Sequence, residues 1–566
     1  MKTKRFLTIV VVAIMAILTG CASIPTSGPL GVSTTSPTQA ADGRLLFSAA
    51  GPRDGMTPEE IIEGFYKAGV DTNDDYKTAR EYLTTEFAGV WNPAAKAIVY
   101  DADPAVVANV QEGSYGVSVE VSASVDDKGI RTNTPQHTSQ LLTVQLTQVN
   151  GQWRISQAPD GLLIESANFD SLFSPHTLYF YDSTYAYAVP DVRWFANKQG
   201  LAATIVTAML NGAAPYLNNA AFSAFPPGTR LAQPSVPIES GEARVDFAAS
   251  VFADASDLRR KQMRQQLSLA LTSLGNVSTV TMTVEQRPVD LGPTDPGFKS
   301  AQVNASVPNT QIAIADNELV YFQGNGHTPI GNIPDIAAYN PVLPAMSPVG
   351  SRYAFLTKDR KKLVTVDDAG TVRVAATGVD FTQPSIDYLG WTWTASHSGG
   401  AHVMAVPPNP AVDGDARDIT AEWLKNATVT SMRVSRDGAR LLVAAQIDGV
   451  AGIYVAGLIR DSEGVPRGVQ NPLKLELKQH VTRAVWERDD SIIAWNPNTE
   501  EPVAPIRVTL ATETEEFSPL LGLTNLSAGA GDRRNIYAEN PEGIYVRSGN
   551  SWRKLEGKAT GLSYPG

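Results

Sequence analysis

The chain has 566 residues, with 46 basic and 58 acidic side chains and a formal net charge of −12. This excess of acidic residues argues against a nucleic-acid-binding protein, which normally has a basic surface, and against a polybasic patch that docks on membranes. Hydrophobic residues make up 43% of the sequence, which is typical of a globular protein, and a length of about 150 residues per domain predicts three or four folded units.

The first twenty residues have the three zones of a secretory signal peptide. Two lysines and an arginine among the first five residues make the start positive, and residues 6–18 form an apolar run that contains no charge. The run is too short for a transmembrane helix, which needs about 20 apolar residues. We therefore predict a signal peptide over residues 1–20, with cleavage between Gly20 and Cys21.

Leu18-Thr19-Gly20-Cys21 resembles a bacterial lipobox, which implies a diacylglycerol on the Cys21 thiol. Two acyl chains are enough for stable anchoring, whereas one is not. Cys21 is the only cysteine, so we expect no internal disulfide and no thiolate metal site. The expected location is the outer face of the cell membrane. Residues 21–55, rich in Ser, Thr, Pro, Gly and Ala, are predicted to be a flexible tether.

Residues 56–165 predict an α+β domain. Thr57-Pro58-Glu59-Glu60 is a capping box with proline at the first helical position, and apolar residues then recur at helical spacing. A second helix is predicted from Tyr76 to Phe87. The apolar period then changes to two, and Asn150-Gly151 indicates a hairpin. Helices followed by a curved antiparallel sheet are similar to the cone of the nuclear-transport-factor-like (NTF2-like) fold.

Residues 175–292 predict a mixed α/β domain with helices near 201–212 and 256–274 and a closing strand at 280–284. The segment resembles the GerMN domain of spore-germination and cell-envelope proteins. The residues that carry this resemblance are Met209-Leu210-Asn211-Gly212, Phe225-Pro226-Pro227-Gly228-Thr229, Glu242-Ala243-Arg244-Val245-Asp246-Phe247, and Leu267 to Val280 with the closing strand.

Residues 305–566 contain only strand and turn patterns and a loose internal repeat. The stretch from Ser347 to Phe355 parallels the stretch from Ser435 to Val443, which begins 88 residues later and so corresponds to two repeats of 44 residues. A period near ~40–45 residues is typical of a four-stranded propeller blade. We predict a β-propeller of about six blades, with a pair of β-sandwiches or a β-barrel as alternatives.

A closed propeller leaves no exposed sheet edge. We therefore expect the final part of the chain, near 544–546 or around Trp552 and Leu555, to complete a blade that residues 311–322 begin.

The sequence contains no serine hydrolase elbow, no zinc protease motif and no glycine-rich phosphate loop, so we expect no enzyme, no metal and no cofactor beyond the lipid on Cys21. His397 and His402 lie close together in a Gly-rich stretch, where a solvated loop is favoured over a metal pair. Asp367-Asp368 and Asp489-Asp490 occupy predicted turns, where Asp satisfies the backbone; acid–base catalysis is the alternative.

Four tryptophans of the predicted propeller have two interpretations, core packing or stacking on sugars, and core packing is favoured. They are Trp391, Trp393, Trp486 and Trp495. A basic cluster at the start of the long helix, predicted to lie on a solvated face, is the best local candidate for a partner surface. It consists of Arg259, Arg260, Lys261 and Arg264.

A lipobox, a polar tether, an α+β domain, a GerMN-like domain and a propeller in this order resemble the LpqB family of actinobacterial lipoproteins over essentially the whole chain. The resemblance implies a non-catalytic accessory of a two-component system. The expected partner is the extracytoplasmic domain of an MtrB-like sensor histidine kinase, and the expected effect is on cell-envelope homeostasis and division. Only Cys21 carries over as a functional residue.

The alternative function is an envelope carbohydrate-binding protein or hydrolase that uses the propeller face. Convergent carboxylates in a deep central funnel would favour this alternative, whereas a filled channel would favour a scaffold.

Overall fold

The computed structural model of the chain describes residues 36–39, 45–252, 254–293, 297–397, 400–409, 414–529 and 535–566. They form an α+β domain, a mixed α/β domain and a β-propeller, which is the predicted multidomain fold. The predicted signal peptide and Cys21 lie outside the described residues. Within the predicted tether, Ser36–Gln39 (β1) pairs antiparallel with Leu45–Ser48 (β2).

The N-terminal domain packs its helices against one curved sheet. The helices are Pro58–Ala68 (α1), Lys77–Arg80 (α2), Thr85–Ala88 (α3) and Ser166–Leu172 (α4). The strands are Lys96–Tyr100 (β3), Ala105–Ala108 (β4), Ser114–Asp126 (β5), Arg131–Val149 (β6), Gln152–Gln157 (β7) and Leu162–Glu165 (β8). The sheet order is β7-β6-β5-β3-β8 with β4 on β5, and only β3 and β8 run parallel. The capping box of α1 is confirmed, since Thr57 and Glu60 bond each other's backbone N–H.

The predicted second helix is interrupted. Leu83 forms a parallel bridge with Ile155, and the Thr84 N–H donates to the Ile155 carbonyl at 2.8 Å. The Thr84 hydroxyl then accepts a bond from the Phe87 N–H and caps α3. A single helix from Tyr76 to Phe87 is therefore wrong, because these residues also pair with the sheet and a threonine N-cap restarts the helix.

The folded part of the chain includes residues before 56. The Tyr82 hydroxyl donates to the Ala50 carbonyl at 2.8 Å, and the Gly55 N–H donates to the Gln152 side chain at 2.9 Å. Ala49 packs against the core of the N-terminal domain.

The second domain places two helices beside a small mixed sheet. Its strands are Phe173–Tyr181 (β9), Ala188–Ala196 (β10), Ile238–Glu239 (β11), Glu242–Phe247 (β12), Thr279–Val284 (β13) and Arg287–Pro288 (β14), and its helices are Leu201–Leu210 (α5) and Asp257–Leu271 (α6). β12 and β13 are parallel, with α6 as their crossover, and β9 and β10 form a long antiparallel ribbon. The Ser256 hydroxyl caps α6 by accepting from the Arg259 N–H.

The third domain is a propeller of six four-stranded blades. Its strands are Gln311–Ala315 (β15), Glu318–Gln323 (β16), Gly326–Pro329 (β17), Pro341–Met346 (β18), Tyr353–Thr357 (β19), Lys362–Val366 (β20), Val372–Thr377 (β21), Ser385–Ile386 (β22), Thr392–Ser396 (β23), His402–Val406 (β24), Arg417–Ile419 (β25), Thr428–Val434 (β26), Arg440–Ile447 (β27), Val450–Arg460 (β28), Pro466–Leu475 (β29), Arg483–Arg488 (β30), Ser491–Trp495 (β31), Pro502–Val503 (β32), Ile506–Thr509 (β33), Thr514–Glu516 (β34), Leu520–Leu521 (β35), Asn525–Ala528 (β36), Ile536–Asn540 (β37), Gly543–Ser548 (β38), Ser551–Lys554 (β39) and Thr560–Ser563 (β40). The inner strands are β40, β18, β22, β26, β30 and β36 of blades 1 to 6, and each neighbours the next around the axis. Strands β32 and β35 lie outside the blades and pair with each other.

The propeller closes by pairing its two ends. β40 pairs antiparallel with β15, so the first blade is completed from the end of the domain. Closure near residues 311–322 is as predicted, but the closing strand is not. Residues 544–546 and the segment around Trp552 belong to the outer strands of blade 6, and the chain needs one more strand to return to the axis.

The second domain and the propeller share one hydrophobic core. It runs from Leu217 and Met263 in the second domain to Leu442, Val455 and Trp486 in blades 4 and 5. Gly457 in β28 makes the close approach possible, because an added Cβ would lie 2.4 Å from the Tyr216 carbonyl oxygen. The two domains are therefore packed as one body.

Candidate functional site

A funnel opens on the propeller axis and has a volume of about 300 Å³. All six blades contribute to its wall. The lining residues are Leu343, Arg360, Gln383, Thr430, Ser431, Arg433, Arg483, Trp495, Pro497, Thr524, Asn525, Glu539 and Gly561. The funnel lies where the inner strands begin, as the positions of Thr430 and Arg483 indicate. We call this side of the propeller the funnel face.

Arg433 is the most buried of the charged residues that line the funnel. Its side chain is buried, at 5% exposure, and its guanidinium donates to neutral acceptors: the Met432 carbonyl at 3.1 Å, the Gln383 carbonyl at 3.0 Å and the Gln383 side-chain oxygen. Burial, reinforced by the neighbouring Arg483, lowers the pKa of Arg433 to about 10. Its charge is therefore desolvated without a carboxylate in the described chain that compensates it.

Arg483 and Arg360 continue the positive charge toward the rim. Arg483 donates to the backbone carbonyls of Thr430 and Thr482, and burial and the charge of Arg360 lower its pKa. Arg360 forms an ion pair of 3.0 Å with Asp380, whose side chain is largely exposed. The charged groups thus form a row from the rim to the depth of the funnel, with Asp380 at the outer end.

Glu539 is the one carboxyl group among the described residues that line the funnel. Both of its oxygens are occupied: Asn525 Nδ2 and the Leu562 N–H donate to Oε1, and the Gly561 N–H donates to Oε2. Burial raises the pKa of Glu539, while these hydrogen bonds oppose the shift. Its role is to join β37 to the closing strand β40.

The other end of the axis is filled. Arg436 is buried and donates to four backbone carbonyls, those of Pro565 at 3.2 Å, Glu487 at 2.8 Å, Trp486 at 3.2 Å and Ala528 at 2.9 Å. Residues 562–565 are buried beside it. In the described part of the chain, the axis is therefore a funnel closed at this end.

The loops that follow the inner strands of blades 3 to 5 lie against the second domain, and we call this side the covered face. Asp437 and Arg440 form a fully buried ion pair, and the Arg440 guanidinium lies 4.8 Å from the centre of the Trp486 ring. Asp489 lies in the next loop and accepts a backbone hydrogen bond from Asn304. Burial and the charge of Asp437 raise the pKa of Asp489 to about 6.

A second group of polar contacts ties the covered face to the second domain. Asp387 accepts from Trp393 Nε1 at 2.9 Å and forms a buried ion pair with Arg460. The neighbouring Tyr388 hydroxyl donates to Asp182 of the second domain at 2.6 Å. The Tyr388–Asp182 bond thus ties this face to the second domain, whereas Nε and Nη1 of Arg440 have no hydrogen-bond partner in the described chain.

Three members of the predicted basic cluster are held by their own domain. Arg259 donates to the Tyr185 hydroxyl at 2.6 Å, Arg260 lies 3.6 Å from Asp257 and donates to the Asp290 carbonyl, and Lys261 donates to the Pro293 carbonyl. Arg264 is exposed. Arg264 is thus the one fully exposed member, because Tyr185 and the segment after β14 pack against the other three, and a partner surface at this cluster stays a prediction.

The predicted turn and core residues lie largely as expected. Asp367 accepts from the Ala369 and Thr371 N–H groups, which confirms a turn role. Asp489 also lies in a turn, but it is buried under the second domain, which local sequence could not indicate. The four tryptophans are buried, as core packing predicts, at 5% exposure or less. They are Trp391, Trp393, Trp486 and Trp495.

The two histidines lie on either side of the short connection between β23 and β24. The His397 ring faces the Asp380 carbonyl at 3.0 Å, and His402 is exposed at the start of β24; residues 398 and 399 between them lie outside the described part. In the described ranges, no group of three or more His, Cys, Asp or Glu side chains could hold a metal ion. Gly20 and Cys21 lie outside these ranges as well.

The funnel arginines are the residues that sequence reasoning missed. Arg360, Arg433 and Arg483 come from blades 2, 4 and 5, and no local motif relates them. The only available signal was a charged residue inside an apolar strand, as in the stretch from Thr428 to Val434.

Family models match three stretches of the chain, in the order of the three folded domains. They are the N-terminal domain of lipoprotein LpqB at residues 51–170, a sporulation and spore germination domain at residues 177–290, and the β-propeller domain of lipoprotein LpqB at residues 317–565. The chain belongs to the LpqB family. The lipoprotein LpqB of Bifidobacterium longum is 24% identical over 85% of this chain and 84% of its own length. The LpqB of Mycobacterium bovis is 24% identical over 94% and 93%, respectively.

Solved structures resemble single LpqB domains. Virginiamycin B lyase from Staphylococcus aureus is 14% identical, with a TM-score of 0.29 over 45% of this chain and 86% of that chain. The tandem GerMN domains of GerM from Bacillus subtilis are 16% identical, with a TM-score of 0.18 over 26% and 58%. Neither likeness bears on activity. Among the residues that the structure describes, no helix is both long and apolar enough to span a membrane.

Proposed function

We propose that this LpqB-family protein is lipid-anchored at Cys21 on the outer face of the cell membrane and acts as a non-catalytic accessory of an MtrB-like sensor kinase. It would bind the extracytoplasmic domain of that kinase and so influence envelope homeostasis and division. The lipobox and the names of the relatives support the anchor. The kinase partner rests on the family resemblance.

The observation that carries a binding role is the continuous core between the second domain and the propeller. The second domain covers part of one face of the propeller with apolar packing, and the carboxylates there are held in ion pairs and hydrogen bonds. A rigid two-domain body presents fixed surfaces to a partner, and less freedom is lost on binding than with a flexible array.

The funnel gives little support to a glycoside hydrolase. Such enzymes need two carboxyl groups flanking the scissile bond, one as acid and one as base or nucleophile. The described lining has Glu539 alone, and its two oxygens accept three hydrogen bonds from the chain. Arginines occupy the remainder of the charged wall.

Docking near the membrane is favoured by the order of the chain. The anchor precedes the N-terminal domain, so this domain and the second one lie nearest the bilayer along the chain. Two partners anchored in one membrane have a raised effective concentration, so a weak interface is sufficient.

Site-specific photo-crosslinking in living cells tests this proposal. We would place a photoreactive residue at Leu258, which is 55% exposed on α6, and a matched one at Val450, which is 59% exposed on a hairpin of blade 4. We expect the kinase to be captured from position 258 more than from position 450. Absence of the kinase from both positions, and from a scan of the N-terminal domain, would refute the kinase partner.

The exposed member of the basic cluster offers a quantitative test. Arg264→Glu should weaken binding to the soluble kinase domain most clearly at low salt, because exposed charges act through screened electrostatics. Arg467→Glu, at an exposed site in blade 4, is the control. Equal binding by Arg264→Glu and the native protein would remove this helix from the docking surface.

The anchor is tested separately. Cys21→Ala should release the protein from the membrane or leave it unprocessed, which fractionation and mass spectrometry distinguish. A processed and membrane-bound Cys21→Ala protein would contradict lipid anchoring at this residue.

A further inference from the structure

The funnel contains hydrogen-bond donors that the described chain does not use. The bonds of Arg433 go to Met432 and Gln383, and those of Arg483 go to Thr430 and Thr482 through Nη1 alone. A guanidinium has five N–H donors, so several remain on each side chain. Within the described ranges, neither arginine has a carboxylate within ion-pair distance.

Trp495 supplies an independent observation at the same wall. Its side chain lines the funnel, is 3% exposed, and its indole N–H is buried without an acceptor in the described chain. Other indole N–H groups of the described chain, those of Trp91 and Trp194, also have no acceptor, so the one of Trp495 is relevant because its side chain lines the funnel.

The groups of the funnel wall that lack hydrogen-bond partners are donors. The one carboxyl group, Glu539, already accepts three bonds, and the side-chain oxygen of Gln383 accepts from Arg433. The described lining thus has three arginines against one carboxyl group, Glu539, and Asp380 pairs with Arg360 at 3.0 Å. A ligand that complements this wall must bring acceptors and negative charge.

We propose that the funnel binds the oxyanion group of a small ligand, with phosphate as the group that fits best. The planar guanidinium matches two oxygens of a phosphate at once, and arginines from three blades can share its oxygens. A volume of about 300 Å³ is at the lower end of small-molecule pockets, so a phosphomonoester or a phospholipid headgroup fits whereas a folded protein does not.

The burial of Arg433 agrees with this assignment. Its pKa is lowered to about 10 because its charge is desolvated beside another arginine. A bound anion would offset both effects, since an opposite charge nearby favours the charged form of arginine.

Isothermal titration of the purified protein with inorganic phosphate and with glycerol 3-phosphate is the direct test, at ionic strength matched with chloride. We expect saturable binding that Arg483→Met weakens about tenfold or more, the effect of losing a hydrogen bond to a charged group. Arg433→Met should act in the same direction. Arg467→Met, at an exposed ion pair of the outer strand of blade 4, should leave binding unchanged.

Arg483→Lys keeps the positive charge but removes the planar guanidinium. It serves as a second variant in case Arg483→Met does not fold. Weakened binding by the lysine variant with an unchanged melting curve supports recognition by the guanidinium. Flotation with phosphatidylglycerol vesicles identifies the source: binding to vesicles that depends on Arg483 supports a lipid headgroup, and binding to glycerol 3-phosphate alone supports a soluble phosphomonoester. No binding in any arm, or equal weakening by Arg467→Met, would overturn the proposal.

Discussion

The two faces of the propeller differ in what surrounds their buried arginines. On the covered face, Arg440 is paired with Asp437, Arg460 with Asp387, and the second domain closes over them. On the funnel face, Arg433 and Arg483 have only neutral acceptors in the described chain. A buried pair stabilises a particular arrangement only while both partners are present. Arg436, at the closed end of the axis, also has no ion pair, but four backbone carbonyls surround it, whereas Arg433 and Arg483 line a cavity. The difference separates an architectural face from one that is available to a ligand.

The largest effect is expected on the covered face. Arg440→Met would leave Asp437 buried without its partner, and breaking a buried pair in this way costs about 3–5 kcal/mol. Denaturant unfolding of the purified protein measures the loss. The control is Arg467→Met, whose pair with Asp461 is exposed and worth less than about 1 kcal/mol. Similar losses in the two variants would contradict the structural role of the Asp437–Arg440 pair.

The junction itself can be broken at Gly457. Gly457→Ala places a Cβ against the Tyr216 carbonyl oxygen and 2.9 Å from the Ala220 side chain, and overpacking of this kind costs about 1–3 kcal/mol. We expect lower stability and faster proteolysis between the second domain and the propeller. Gly326→Ala has no atom within 4 Å of its added Cβ and should have little effect. Equal protease resistance of both variants would argue against tight docking at β28.

A pH dependence follows from Asp489, whose folded-state pKa is raised from 3.8 to about 6. Between these values the folded protein holds the proton more tightly than the unfolded chain, so stability contributed by this group falls as pH rises from about 4 to about 6. Asp489→Asn removes the ionisation and should flatten this part of the curve and stabilise the protein at pH 7. An unchanged slope between pH 4 and 6 would exclude Asp489 as its cause.

The smallest effect is expected on the funnel face. Arg433→Met leaves no carboxylate without a partner, and the freed oxygens of Gln383 lie at a cavity that water can enter. The change in unfolding free energy should therefore stay within about 1 kcal/mol, although Arg433 is almost as buried as Arg440. A loss as large as that of Arg440→Met would remove the contrast between the two faces.

The order and type of the domains could be predicted because they depend on local patterns. The capping box at Thr57 to Glu60, the change of period after it and the repeat between Ser347 and Ser435 each lie within one stretch of sequence. Closure of the propeller was also predictable, since an open blade would expose an edge. The closing strand was not, because Thr560–Ser563 is short and its pairing partner lies more than two hundred residues earlier.

From the sequence by itself, the helix caps, the three domain types, the propeller and the family resemblance could be determined, as could the lipobox that predicts an anchor. Only the tertiary structure decided that Arg360, Arg433 and Arg483 meet at one funnel, that Asp489 is buried, and that most of the basic cluster is held by its own domain. The physical reason is that burial and the charge of neighbours are properties of three-dimensional packing. Residues from separate blades acquire a shared electrostatic environment only after the ring closes and the second domain docks.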